Sequence, residues 1–457
     1  MKPFPVLCCQ VGALLVCSAR VFSQATITQI LSNGPPANCI NIVFLSEGYT
    51  AAQLNQFTND AKALLNYVRS GPPFDAYRNY FNGYAISVAS AESGADHPLN
   101  GIYHNTYFNS SFYCYGIERL LTIPPNDWDS NYADGEGRVY ALLQALMPEY
   151  DLASVIVNDT EYGGSGGATL ITSMNVYSPE IAAHELGHTF AGLGDEYSDA
   201  YPGWVPYEMP NVTQQTNRAS IRWTAWILGS TPIPTPDTAP YTSVVGLFEG
   251  AEYQTTGWYR PQHVCEMRAL DYPYCKVCAE ALVKAIYTRV RPIISTVPAT
   301  NTPTTLANAQ SVAFNVATLQ PDAFKLNVQW FTNNIACVGA TNSSFTVFTA
   351  LLPFGSNQVR VEVTDTNPVV RTDPDQVLRD SRSWQVQILS PCLEYRRLAG
   401  GIALSWTTNA QGFALEYKTN LSPSIAWQLA GEPTVVGDRF TFNDAISPAV
   451  KYYRLRK

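Results

Sequence analysis

Charge is scarce in this chain. Only 14% of its 457 residues are Asp, Glu, Lys or Arg, and the formal balance is −9. A surface so thinly charged, and negative on balance, excludes nucleic-acid binding through a basic face. Long apolar runs are lacking too: beyond the N-terminus no segment is a credible membrane span. Histidine is rarer still, five in all, so two of them falling at a meaningful spacing carries weight. Cysteine, at ten residues, is not rare, and its distribution needs an explanation.

At the N-terminus Lys2 precedes an apolar run from Val6 to Ala19, short for a bilayer but the right length for a signal-peptide core. Residues 1–23 therefore read as a signal peptide, with cleavage between Ala19 and Ala25 and Ser23 the favoured site. The mature protein is expected to be secreted or extracytoplasmic, free of any transmembrane segment, and monomeric. Three cysteines leave with the signal. Cys39, Cys114, Cys265, Cys275, Cys278, Cys337 and Cys392 remain, and in an oxidising compartment disulfides are expected before metal ligation. The cluster at 265–278 and the pair Cys337 with Cys392 are the expected bridges. His263 with Cys265, Cys275 and Cys278 is the alternative, a second, structural zinc site.

The first half alternates strands with helices. Asn41 to Ser46 is an apolar, β-branched run, and Thr50 with Gln53 makes a capping box for a helix whose apolar positions, Leu54, Phe57, Ala61, Leu64, Leu65 and Val68, recur at helical spacing. A short aromatic helix near Tyr77 leads to a strand at 84–89. A helix at 135–147 and a strand at 153–158 follow. Gly163 to Gly167 formally satisfies G-x-S-x-G around Ser165, but the nucleophile elbow needs a helix directly after the serine, and residues 168–172 read as a strand. That strand is expected to form the sheet edge that receives an extended peptide. From Ser198 to Gln262 the chain is aromatic and irregular, with one helical stretch at 221–228, and reads as a cleft wall.

The chemistry concentrates at Ala182–Tyr197, A-A-H-E-L-G-H-T-F-A-G-L-G-D-E-Y. His184 and His188 sit four apart, so on a helix they lie on one face about 40° around the axis. Two imidazoles and one further ligand suit a catalytic zinc that keeps a fourth position for water. Glu185 projects beside such a metal and can act as general base. Pro179 fits the helix's first turn and Gly192 its left-handed end. Asp195 and Glu196 both follow within reach, and either carboxylate can be the third ligand.

After Pro292, Thr, Asn, Val and Ser dominate and short alternating runs recur, as in β-sandwiches. Trp330 is its expected core tryptophan. The expected organisation is a catalytic domain at 25–291, an Ig-like sandwich at 292–391 and a small fibronectin III-like module at 392–457.

Several blocks together, N-I-V-F-L-S-E-G-Y-T at 41–50, Y-G-G at 162–164, H-E-L-G-H-T-F-A-G-L-G-D-E-Y at 184–197, G-L-F-E-G-A at 246–251 and Y-R-P with C-E-M-R at 259–268, make residues 40–288 resemble the M64 zinc peptidases, often called the IgA peptidase family. The resemblance implies an α/β metzincin-like catalytic domain with one Zn²⁺ per chain. It implies that His184, His188 and Asp195 bind the metal, with Glu196 competing for the third place, that Glu185 is the base, and that Met267 is the Met-turn residue beneath the site. In the best-known metzincin signature the third ligand lies ten residues after the first histidine, which here is Gly194, so the ligand shifts by one.

The implied activity is secreted endopeptidase hydrolysis of protein or peptide substrates by a zinc-activated water, with Tyr197, Tyr259 and Arg260 as candidate oxyanion or substrate contacts. The alternative is a catalytically silent zincin-fold protein whose C-terminal modules bind cell-surface or glycan partners. IgA itself does not carry over as substrate, because a family name defines no pocket.

Overall fold

The computed structural model describes residues 25–201, 203–307, 310–408, 410, 412–445 and 450–457. The expected signal segment, 1–23, lies outside them. Two compact units emerge. The first runs to Pro292 and takes in Leu319–Leu326 and Asp365–Leu378, while the second comprises Ile293–Thr318, Asn327–Thr364 and Arg379–Lys457. No helix among the described residues is long and apolar enough to cross a membrane.

The first unit is built on a sheet of β1 (Thr26–Leu31), β2 (Ile40–Glu47), β3 (Phe81–Ser87), β4 (Leu152–Val157), β5 (Gly164–Ser165) and β6 (Leu170–Ser173), in spatial order β1-β3-β2-β4-β6-β5. Strands β3, β2, β4 and β6 are mutually parallel, and β1 and β5 run antiparallel at the edges. All eight residues of β2 are buried, as a strand covered on both faces requires. Its side chains alternate: Ile42 and Phe44 join one core cluster, Val43 and Leu45 the other. The first cluster contains α1 (Leu54–Ser70), α3 (Ser178–Ala191) and α4 (Lys276–Arg289), and the second contains α2 (Glu136–Leu146).

Local signals explain several boundaries. The Thr50 N–H donates to Gln53 Oε1 at 3.0 Å, so the capping box forms, and a short 3-10 turn leads into α1. Phe57, Ala61, Leu64 and Leu65 are the face that α1 buries. Two expectations differ. The stretch 221–228 holds only one short 3-10 turn, Thr224–Trp226, next to Trp223, which is buried with its indole N–H on the Gly246 carbonyl, 2.8 Å away. The sheet edge is β5 rather than the strand after it, and Gly164 of β5 is itself bridged to Leu120.

The second unit is all-β, as Ig-like modules would be. One sheet has the order Thr304–Leu306, Arg379–Ile388, Gly355–Thr364, Asn327–Thr332, Ile335–Ala336, and another Ser344–Phe348, Ser311–Thr318, Ile293–Val297. Trp330 and Trp384 stack between them with ring centroids 5.7 Å apart. Both indole N–H groups reach backbone carbonyls at 2.8 Å, which satisfies the polar end of each buried ring. Strands among the described residues between Glu394 and Arg456 form two further small sheets around Trp406 and Leu415.

Candidate metal centre

Helix α3 carries Pro179 in its first turn and stops at Gly192, whose φ of 62° and N–H bonds to the Gly187 and His188 carbonyls make a left-handed cap. That stop lets the chain double back, and Asp195 returns to the histidines. His184 Nε2 lies 3.0 Å from Asp195 Oδ1 and 3.2 Å from His188 Nε2, and His188 Nε2 lies 3.3 Å from the same carboxylate oxygen. Ligands about 2.05 Å from a zinc ion stand about 3.3 Å apart on a tetrahedron. The three donor atoms therefore already have the spacing of one tetrahedral face.

The remaining ring nitrogens are occupied. His184 Nδ1 donates to the Glu266 carbonyl at 2.9 Å and His188 Nδ1 to the Leu193 carbonyl at 2.7 Å. Each bond leaves the lone pair on Nε2, the atom that faces Asp195, and fixes the ring plane. Without a cation, protons fill the gap. Burial lowers the His188 pKa, but the Asp195 hydrogen bond and charge, with Glu185, more than reverse this and push it up to about 9. Asp195 is correspondingly held far below the usual carboxylate range, against its own burial. Asp195 favours the charged form of both imidazoles and they hold it ionised, and the donor set of two imidazoles and a carboxylate fits a borderline divalent metal.

Two close approaches shape the site. A Cβ on Gly194 would stand 2.5 Å from Glu252 Oε1 and 2.7 Å from Val212 Cγ2, so no ligand-bearing side chain fits there and the carboxylate falls on the next residue. A Cβ on Gly187 would stand 2.5 Å from Met267 Sδ. Met267, fully buried, thus packs directly against the helix turn between the two histidines.

Glu185 faces the cleft floor, where a Cβ on Gly166 would meet its Oε2 at 2.6 Å. Burial raises its carboxyl above the ordinary range, with His184 and His188 pulling the other way. The cleft, about 1330 Å³, is lined by Glu185, both histidines, Asp195, Tyr197 and Arg119 among others. Ser165 also lines it, but its hydroxyl donates to the Leu121 carbonyl at 2.8 Å and no helix follows. That is not a nucleophile elbow.

Of the sequence candidates for substrate contact, only Tyr197 lines the cleft, its ring nearly parallel to His184. Tyr259 is buried in β8 (Gln254–Arg260), paired with Thr213. Arg260 is buried and spends its guanidinium on the Glu249 and Gly250 carbonyls and on Asp237 at 2.7 Å. Neither lines the cleft beside the two histidines and Asp195. Glu196 does not either: its Oε1 accepts from Asn211 at 2.9 Å and faces Cys278.

Two residues at the centre carry no sequence signal. Strand β7 (Phe248–Ala251) turns into β8 through Glu252 and Tyr253, at φ 52° and 60°. Such a turn ordinarily carries Asn-Gly, and non-glycine residues there cost about 1–2 kcal/mol each. The strained turn aims both side chains at Asp195: Glu252 Oε1 accepts its backbone N–H at 3.0 Å, and the Tyr253 hydroxyl donates to Oδ2. The proximity of Asp195 adds to burial in raising Glu252 to about 7.

The family described as IgA Peptidase M64 matches residues 28–239 and 237–286. The chain belongs to this family. M64 peptidases are metallopeptidases, so protein or peptide is the substrate class. No curated protein matches the chain. The M64 match ends within α4, before the all-β unit begins.

The cysteines correct an expectation. All seven in the described residues are free thiols, including Cys337 and the exposed Cys392. In this M64 chain Cys265, Cys275 and Cys278 do come together, but without a bridge, and the fourth member of their cluster is Glu196 rather than His263. His263 pairs with Asp237 instead.

Proposed function

We propose that the chain is a secreted, zinc-dependent endopeptidase of zincin type, with His184, His188 and Asp195 as ligands and Glu185 as general base. The observation that carries this is the convergence of the three donor atoms within 3.3 Å of one another on the wall of a wide cleft. A bound zinc ion would supply Lewis acidity, polarising the scissile carbonyl and acidifying water.

The chain's own groups do the rest. Glu185, desolvated so that its carboxyl takes a proton more readily than an exposed glutamate, accepts the proton of the attacking water and passes it to the leaving amine. The Tyr253 hydroxyl and the Glu252 carboxylate fix Asp195 from both sides, and the backbone carbonyls of Glu266 and Leu193 fix the imidazoles. Of the expected substrate contacts only Tyr197 lines the cleft, its hydroxyl 3.2 Å from that of Tyr253 and the Arg119 guanidinium over its ring, 5.3 Å from the centroid.

The test is casein or peptide-library cleavage by the purified full chain. Activity should disappear with a chelator, return with added zinc, and survive Ser165→Ala. Activity that ignores the chelator but vanishes with Ser165→Ala would place the chemistry on the serine.

A further inference from the structure

A second set of metal-ligating groups lies outside the cleft. Glu196, Cys265, Cys275 and Cys278 each offer a ligand atom, all four within 4.8 Å of one another, and all four residues are buried. They come from three segments: the chain just past Asp195, the turn that carries Met267, and the first turn of α4. The expected explanation, a disulfide, does not fit the geometry. Cys265 Sγ and Cys278 Sγ are 3.7 Å apart, whereas a bridge needs about 2.05 Å. Any one bridge among three cysteines would also strand the third thiol beside a buried carboxylate.

Three features point to a cation. First, a zinc–sulfur bond of about 2.3 Å sets sulfurs about 3.8 Å apart on a tetrahedron, close to the observed separation. Glu196 Oε1 adds distances of 3.2 Å to Cys278 Sγ and 4.0 Å to Cys275 Sγ. Second, Glu196 is fully buried and its Oε2 has no hydrogen-bond partner. An unsatisfied carboxylate oxygen at such depth is costly unless something positive meets it. Third, backbone N–H groups are aimed at the sulfurs as they are at thiolates. Cys275 N–H donates to Cys265 Sγ at 3.2 Å and Cys278 N–H to Cys275 Sγ at 3.5 Å. The latter is the N-cap bond of α4, whose N-terminal dipole favours negative charge.

We propose that Glu196, Cys265, Cys275 and Cys278 hold a second divalent ion, structural zinc by ligand type, with the three thiols releasing their protons as it binds. Four protein ligands close the coordination sphere and leave no place for substrate or water, which separates this site from the cleft. Its effect is mechanical. It clasps the residue after Asp195, the residue two before Met267 and the start of α4, so it sets the position of one candidate cleft ligand and of the methionine beneath the histidines. The inference stands independently of the peptidase reading, because it uses neither His184 nor Glu185.

The experiment is metal analysis of the full chain by elemental mass spectrometry. Wild type should carry two zinc ions per chain. The double variant His184→Ala/His188→Ala should keep one, and Cys278→Ser should lose one. With cobalt in place of zinc, the double histidine variant should show intense near-ultraviolet thiolate-to-cobalt absorption, which has no source in the cleft. Should Cys278→Ser fail to fold, the double histidine variant still decides. A double histidine variant that binds no metal, or denatured wild type in which Cys265, Cys275 and Cys278 resist alkylation until reduced, overturns the proposal.

Discussion

Asp195 and Glu196 are neighbours in the chain, yet their carboxylates serve different surroundings. Asp195 meets two imidazoles on the wall of a cleft, while Glu196 meets three thiols in a pocket where no member is more than 5% exposed. The Glu196 N–H donates to the Met267 carbonyl at 2.7 Å, and successive side chains of a segment pinned this way emerge on opposite sides, as in a strand. Openness separates the two clusters chemically. A site with three protein donors beside a cleft can admit water and substrate, and one with four buried donors cannot.

The largest expected effect comes from dismantling the open cluster. His188→Ala should lower proteolysis about a thousandfold or more, the several kcal/mol a catalytic metal supplies, while the closed cluster keeps its thiol environment. Equal loss of cobalt–thiolate absorption would show that the two clusters are not separable. Next comes the strained β7–β8 turn. Tyr253→Phe removes the donor to Asp195 Oδ2 and should weaken metal affinity or activity by about 10–100-fold, read by competition with a graded chelator. An unchanged affinity would reduce Tyr253 to packing. A smaller effect is expected under α3: Gly187→Ala drives a methyl against Met267 and should cost about 1–3 kcal/mol by denaturant unfolding.

The pH dependence of the metal-free chain sharpens the same contrast. His188 is pushed up to about 9 in the folded state, above its ordinary 6.5. A raised folded pKa stabilises the protein fully below the unfolded value, and the contribution disappears as pH rises through the folded one. Chelated protein should therefore melt closest to metal-loaded protein under mildly acidic conditions, and the gap should widen from about pH 6.5 to pH 9. A gap that narrows over that range would contradict the Asp195–His188 pairing.

Much of this was legible in the sequence for physical reasons that act locally. The capping box at Thr50, the left-handed Gly192, the buried run of β2 and the spacing of His184 and His188 each declare themselves within a few residues. Gly194 was legible as a gap in the ligand pattern, though only its neighbours Glu252 and Val212 explain why no side chain fits. What stayed hidden depends on distant contacts. Glu252 and Tyr253 occupy left-handed backbone without Asn or Gly to announce it, and Arg260 looked available until its guanidinium was found among carbonyls. The cysteines misled for the same reason. Spacing brought Cys265, Cys275 and Cys278 together on paper, but only the fold adds Glu196 and withholds His263.

The central claim, that Glu185 acts as base beside a cation held by His184, His188 and Asp195, is tested most directly by Glu185→Ala assayed at matched metal content. Loss of one general base predicts casein hydrolysis lowered by about two to four orders of magnitude with the metal retained. Hydrolysis at the wild-type rate by a metal-loaded Glu185→Ala protein would contradict it.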